Sequence, residues 1–301
     1  MRTTTWENLG TTFTGNEKLI SGLPEAMCFK VDKKPMGFMT DANEFQRVNG
    51  TSTVVDEFGR AYGPVSDNYG VVDNPTALGA LQYIEGMDIV KYGALNNGMQ
   101  FIIGKLDEVN ILGDAFTPYL IFRNSFNGKF PIQAAICPLR IVCQNQFNIA
   151  FKEAQNTINI KHTAKAEQKL EQAREILLGT ADYLANLKAK AEKYATIKVS
   201  EAEVAHIIED LFPLKDTMSE RQAQVIKDKR AAFIAARLAN DNANFRNTVW
   251  GMINAYTDFI THEQPVRQTK TQSENQFLAV TFDPRIMAKM MEIINARTLI
   301  A

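Results

Sequence analysis

Pro118-Tyr-Leu-Ile-Phe-Arg-Asn-Ser-Phe-Asn-Gly-Lys-Phe-Pro-Ile-Gln-Ala-Ala-Ile136 is the stretch that decides the fold class. Two apolar runs, Pro118 to Arg123 and Phe130 to Ile136, flank the polar turn Asn127-Gly128-Lys129. Asn-Gly tolerates the positive φ angles of a tight turn, so the stretch predicts two antiparallel strands. The same pattern stands just upstream, where Met87 to Gly93 and Met99 to Leu106 enclose Asn96-Asn97-Gly98. Two hairpins in succession make a meander. Further towards the N-terminus, Ala26-Met-Cys-Phe-Lys-Val-Asp32 and Met36-Gly-Phe-Met-Thr40 are short strand candidates. The segment Gly70-Val-Val-Asp-Asn-Pro75 closes a strand and leads into a helix near 75–85, with Asn74 as its cap and Pro75 at its first position.

The texture changes near residue 162. Leu170, Ala173, Leu177, Ala181, Leu184 and Leu187 recur at steps of three and four, which is helical spacing. This amphipathic run from Thr163 to about Ala195 is long for a monomer and can pack on the sheet or pair with another chain. Ser200-Glu-Ala-Glu203 reads as a capping box, and Pro213 closes the helix it opens. A helix over about 217–240 follows. Another carries Phe245, Val249, Ile253, Tyr256 and Ile260 on one face. Thr261 to Asn275 reads as a polar loop, and Asp283-Pro284 opens a last helix. The expected class is α+β: an antiparallel β-meander core with a helix in residues 1–160, then a mostly helical region in 161–301 packed on or extending from that core.

The chain has 301 residues, 45% of them apolar, enough for a substantial core, and a formal net charge of −1. That balance argues against gripping duplex DNA by bulk electrostatics. The charge is uneven, however. Residues 1–120 hold 9 Lys/Arg against 15 Asp/Glu, whereas 121–170 hold 7 against 2. The local excess of cations points to an anionic partner. Three cysteines without a paired spacing fit reduced thiols, with Cys137 and Cys143 packed in an apolar run. Met-Arg-Thr-Thr-Thr-Trp6 lacks an apolar signal core, and no stretch is apolar for the ~20 residues a bilayer requires. The expectation is a protein of the host-cell cytoplasm with no membrane partner.

Familiar catalytic patterns are missing. His162, His206 and His262 are far apart and no Cys-x-x-Cys exists, so neither zinc nor any other cofactor is expected. Asp56-Glu57 and Asp107-Glu108 are adjacent acids that read as solvated turn charges. No Gly-x-x-x-x-Gly-Lys-Ser/Thr or Gly-x-Ser-x-Gly motif is present. Cys143 has no histidine near it in sequence to activate it. Binding is the better expectation than catalysis. Arg123, Lys129, Arg140, Lys161 and Lys165 supply cations for phosphates. Gln144 and Asn145 supply amides for base edges or for fixing a turn. Phe122, Phe126 and Phe130 are aromatics on which bases stack in single-strand binders. Strand alternation puts Tyr119, Ile121 and Arg123 on one face and Leu120 and Phe122 on the other.

Separated segments resemble a known family. They are Trp6-Glu-Asn-Leu-Gly-Thr11, Pro64-Val-Ser-Asp-Asn-Tyr-Gly-Val-Val72, the block from Arg123 to Phe147, and Asn247-Thr-Val-Trp-Gly251 with Asn254-Ala255 and His262. They are similar to phage/plasmid-like proteins that carry a domain of unknown function, number 932. The first element often has a histidine where this chain has Asn8. The resemblance implies a mobile-element origin and, by association with recombination, replication and anti-restriction genes, the handling of single-stranded nucleic acid. The expected function is non-enzymatic binding or annealing of single strands, with self-association into a homo-oligomer. The alternative is an interaction protein that blocks a host defence or transcription component through its acidic N-terminal half.

Overall fold

The structure is a computed structural model; it describes residues 9–20, 22–79, 84, 86–95, 97–137, 158–171, 179–239, 242–260 and 285–298. In chain order the strands are β1 (Thr11–Thr12), β2 (Leu19–Ile20), β3 (Leu23–Pro24), β4 (Val31–Met39), β5 (Phe45–Asp56) and β6 (Ala61–Ser66). After helix α1 (Asn74–Leu78) come β7 (Asp88–Leu95), β8 (Met99–Lys105), β9 (Val109–Ile111), β10 (Asp114–Phe116), β11 (Tyr119–Ser125), β12 (Ile132–Cys137) and β13 (Ile158–Ile160). The rest is helical: α2 (Thr180–Thr196), α3 (Glu201–Leu211), α4 (Glu220–Leu238), α5 (Val249–Asp258) and α6 (Arg285–Thr298). The α+β class and the helical C-terminal part agree with the expectation.

Both Asn-Gly turns join strands as read. β7 pairs with β8 and β11 with β12, antiparallel, inside a six-stranded sheet ordered β1-β7-β8-β11-β12-β13. β8 and β11 are buried on both faces, which explains their nearly unbroken apolar runs. Leu120, Phe122 and Ile102 face the main core, which they share with Trp250, Met252, Ile253 and Phe259 of the helical part. Ile121, Ile103, Phe101 and Met99 face a second core with Leu9. α5 packs against α2 and α4, and α6 against α3. Sheet and helices therefore share one continuous hydrophobic cluster.

Two local expectations are corrected. The two short strand candidates near 26–40 are a 3-10 turn, Glu25–Met27, followed by the single strand β4, which runs through Met36. β4, β5 and β6 form a separate three-stranded sheet. The far part of its β4–β5 hairpin projects as an arm that exposes Met36, Phe38, Met39, Phe45 and Val48. Pro35 lies in the edge strand β4, opposite Ser52. At α1 the cap is Asp73, whose carboxylate accepts from the Thr76 N–H. Asn74 is instead the first helical residue. It is buried, donating to the Met27 carbonyl and accepting from Asn124 Nδ2. A buried amide with two long-range partners outweighs the capping preference that the sequence suggests.

The Ser200/Glu203 capping box forms, and a second one, Ser219/Gln222, opens α4. The expected polar loop from Thr261 and the Asp283-Pro284 cap lie outside the described residues. No helix among the described residues is long and apolar enough to cross a membrane.

Candidate functional site

Three turns converge at one end of the large sheet. Beneath them lies a small core of Val54, Tyr62, Val65, Tyr69 and Phe126. The β11–β12 turn is locked onto the β7–β8 turn: the Phe126 N–H donates to the Gly98 carbonyl (2.8 Å) and Asn127 Nδ2 to the Asn97 carbonyl (3.2 Å). Asn127 Oδ1 accepts from Ser125 Oγ (2.8 Å) and from the Lys129 N–H (3.1 Å). Gly98 has φ +133° and lies so close to Asn127 and Tyr62 that a Cβ would stand 3.1–3.2 Å from their side chains. The dihedral favours glycine there, and the close approach leaves little room for a side chain.

The β5–β6 turn adjoins these two. Asp56, only 9% exposed, accepts from the Phe58 N–H (3.0 Å), the Arg60 N–H (2.8 Å) and the Tyr62 hydroxyl (2.8 Å). Burial opposes its charge, but these donors and the Arg60 guanidinium outweigh that and hold the carboxyl below its ordinary pKa. Asp56 is thus a structural anchor and not the solvated charge expected from sequence. Arg60 reaches from this turn to Asn97 Oδ1 (3.3 Å), with its guanidinium 5.2 Å from the Tyr62 ring centre. Between β6 and the two Asn-Gly turns opens a cleft of about 620 Å³, lined among others by Tyr62, Tyr69, Asn97, Asn127 and Lys129.

Tyr69 also borders a second cleft of about 860 Å³. Its ring stacks on His162 (centroids 4.7 Å apart), and its hydroxyl donates to the Ser125 carbonyl (2.6 Å). His162 is 8% exposed, and burial pushes its pKa down to about 4. The neutral ring donates from Nδ1 to the Gly70 carbonyl (3.1 Å), while Nε2 has no partner. The second cleft is of opposite character, with Asp32, Asp67, Asp73 and Glu167 on its walls. Lys33 is there too, but its ammonium is bonded to the carbonyls of Asp67 and Tyr69.

The expected site residues divide into three groups. Lys129 is exposed on the first cleft. Lys161 is exposed directly after β13, and the pairing of Ile132 with Ile160 brings it to the same end of the sheet as the Lys129 turn. Lys165 is exposed in the turn beyond His162, next to Ala164, a wall residue of the second cleft. Arg123, by contrast, is inside the protein at 6% exposure. Its Nε and Nη2 both donate to Gln133 Oε1, and its guanidinium lies 4.5 Å from the Phe130 ring centre. Burial lowers its pKa to about 9. Phe122 and Phe126 are fully buried core residues, so neither presents a face to a ligand. Arg140, Gln144 and Asn145 lie outside the described residues.

Sequence reading missed Arg60, Asn97 and Phe58 as surface groups of this end, and Asn127 as the buried amide that locks its turns together. The signal for Arg60 and Asn97 was present in the Gly59-Arg60 pair and the turn tripeptide Asn96-Asn97-Gly98. Among the described residues no group of His, Cys, Asp and Glu is placed to hold a metal ion. The chemistry the first cleft offers is cation and amide contact with an anionic, hydrogen-bonding ligand.

An α+β protein with a cleft of mixed polar and apolar lining at one end of an antiparallel sheet is the class these features define. The model of the family described as "Domain of unknown function (DUF932)" matches residues 61–280, and the chain belongs to that family. The match takes in every residue lining the first cleft but not the Asp56–Arg60 turn beside it. No curated protein and no solved structure matches the chain.

Proposed function

We propose that the protein is a non-enzymatic single-stranded nucleic acid binding or annealing factor of a phage or plasmid, acting in recombination or replication. The observation that carries this reading is the first cleft. Lys129 on the cleft wall, Arg60 bonded to the wall residue Asn97, and Lys161 at the same end of the sheet provide cations, with exposed Asn97 offering an amide group. Cations that follow a phosphate backbone, beside groups that meet bases, are the recurrent plan of such surfaces. Arg123 has no part in the contact; it braces β11 against β12 beneath the turn.

A fluorescence anisotropy titration with a labelled oligothymidine tests the reading. Binding is expected to be saturable and to weaken steeply with salt, because each cation–phosphate contact releases a counterion. Lys129→Glu combined with Arg60→Glu is expected to weaken it at least tenfold and to flatten the salt dependence. Absence of saturable binding at low salt refutes the proposal.

The exposed apolar side chains of the β4–β5 arm favour a second reading, contact with a host protein. A complex that survives nuclease treatment, with no binding of single strands, would replace the first reading by this one.

A further inference from the structure

The β5–β6 turn holds the most exposed large apolar residue among the described residues, Phe58, at 79%. An exposed phenylalanine in a loose loop would carry no message. This one is fixed. Its own N–H is bound by the Asp56 carboxylate, and the same oxygen takes the Arg60 N–H. The Gly59 N–H returns to the Asp56 carbonyl (3.0 Å), and the Asp56 N–H to the Arg60 carbonyl (3.1 Å). The Glu57 N–H donates to the Lys30 carbonyl (3.0 Å), and the Lys30 N–H to Glu57 Oε1 (3.0 Å). Gly59 takes φ +85°, which closes the turn. Among the described residues the ring contact of Phe58 is with Phe29, tilted at 57° with centroids 6.5 Å apart, and this backs the ring without covering it.

Six hydrogen bonds therefore fix the backbone from which an exposed aromatic ring projects, two residues from a cation that reaches the cleft rim. We propose that Phe58 is the base-stacking residue of the nucleic-acid surface, and that an unpaired base lies on its free face while Arg60 and Lys129 hold the adjoining backbone. The inference rests on the proposed function and adds to it the part of the ligand that cations cannot recognise. Every base has a π-face, so the contact is tolerant of sequence and insensitive to salt. One oxygen of the Glu57 carboxylate is engaged by the Lys30 N–H.

The test compares an oligothymidine with an abasic strand of the same length, which keeps phosphates and sugars and lacks bases. Wild-type protein is expected to prefer the thymidine strand by on the order of tenfold. Phe58→Ala is expected to abolish that preference while leaving affinity for the abasic strand unchanged. Phe58→Leu, which keeps apolar area but no π-face, should behave like Phe58→Ala. If wild-type protein binds both strands and Phe58→Ala retains the preference, the stacking role falls and the cleft reading stands. If Phe58→Ala weakens both strands equally, or Phe58→Leu retains the full preference, stacking is likewise refuted. If wild-type protein binds neither strand, the proposed function itself fails. Phe58 is exposed, so its removal leaves no cavity, and an unchanged thermal midpoint confirms an intact fold.

Discussion

Removing the Asp56 carboxylate tests the construction of the cleft most directly. In Asp56→Ala the Tyr62 hydroxyl, in a ring only 3% exposed, loses its acceptor. An unsatisfied buried hydroxyl costs about 1–3 kcal/mol. The Phe58 and Arg60 N–H groups lose their acceptor as well; both lie in a turn at the surface, and each lost bond costs about 0.5–1 kcal/mol once water replaces it. The expected loss is about 3 kcal/mol, a large share of the stability of an ordinary domain. Asp56→Asn separates the causes. Its Oδ1 still accepts both N–H groups, and its Nδ2 can donate to the Tyr62 oxygen, so the expected cost is below about 1 kcal/mol. Urea unfolding followed by tryptophan fluorescence measures both variants. A double-mutant cycle with Tyr62→Phe should give a coupling of about 1–2 kcal/mol between the two side chains. The reasoning is refuted if Asp56→Ala lies within about 0.5 kcal/mol of wild type, or if the asparagine variant is as damaged as the alanine variant.

Arg123→Glu should cost about 3–5 kcal/mol, because it places a carboxylate against Gln133 Oε1 and the Phe130 ring in the interior. Lys129→Glu, at the exposed turn, should leave the urea midpoint unchanged, and equal stabilities for the two variants would refute the different placements. His162 makes stability depend on pH. Its folded pKa of about 4 lies below the unfolded value of about 6.5, so the unfolded chain binds the proton more readily. Its contribution is full above about pH 6.5 and falls, by about 3 kcal/mol in all, as the pH drops through the folded value. His162→Phe should remove that slope between pH 7 and pH 4.5, and an unchanged slope would show that the ring protonates freely in the folded protein.

The two Asn-Gly turns and the Ser200 cap were legible because their chemistry is local, whereas the Asn74 cap was overruled by long-range partners. Asn97-Gly98, Asn127-Gly128 and Ser200/Glu203 each carry their signal within four residues, and each appears where read. The cleft was legible only in part. Lys129 and Lys161 were visible as cations, but their common location depends on the β12–β13 register, which leaves no mark in the spacing. Arg123 was misplaced because its position is decided by Gln133 on the paired strand and by a second core covering that face. Alternation along β11 showed that Arg123 shares a face with Ile121, but not that this face is buried too. Phe58 was passed over for the opposite reason. A lone phenylalanine in a turn has no sequence signature of exposure, and only the ring of hydrogen bonds around Asp56 reveals that it is held in place.

Pro35 has a consequence for how molecules of this protein can meet. Free strand edges invite recruitment of further strands, and an apolar arm adds stickiness to that invitation. Sheets accept proline where its nitrogen turns away from the existing neighbour, so a newcomer docking along β4 meets a methylene where it needs a donor. The register shift between Pro35 and Gly37 then bends the backbone out of line. Strand addition along the β4 edge is therefore interrupted at Pro35.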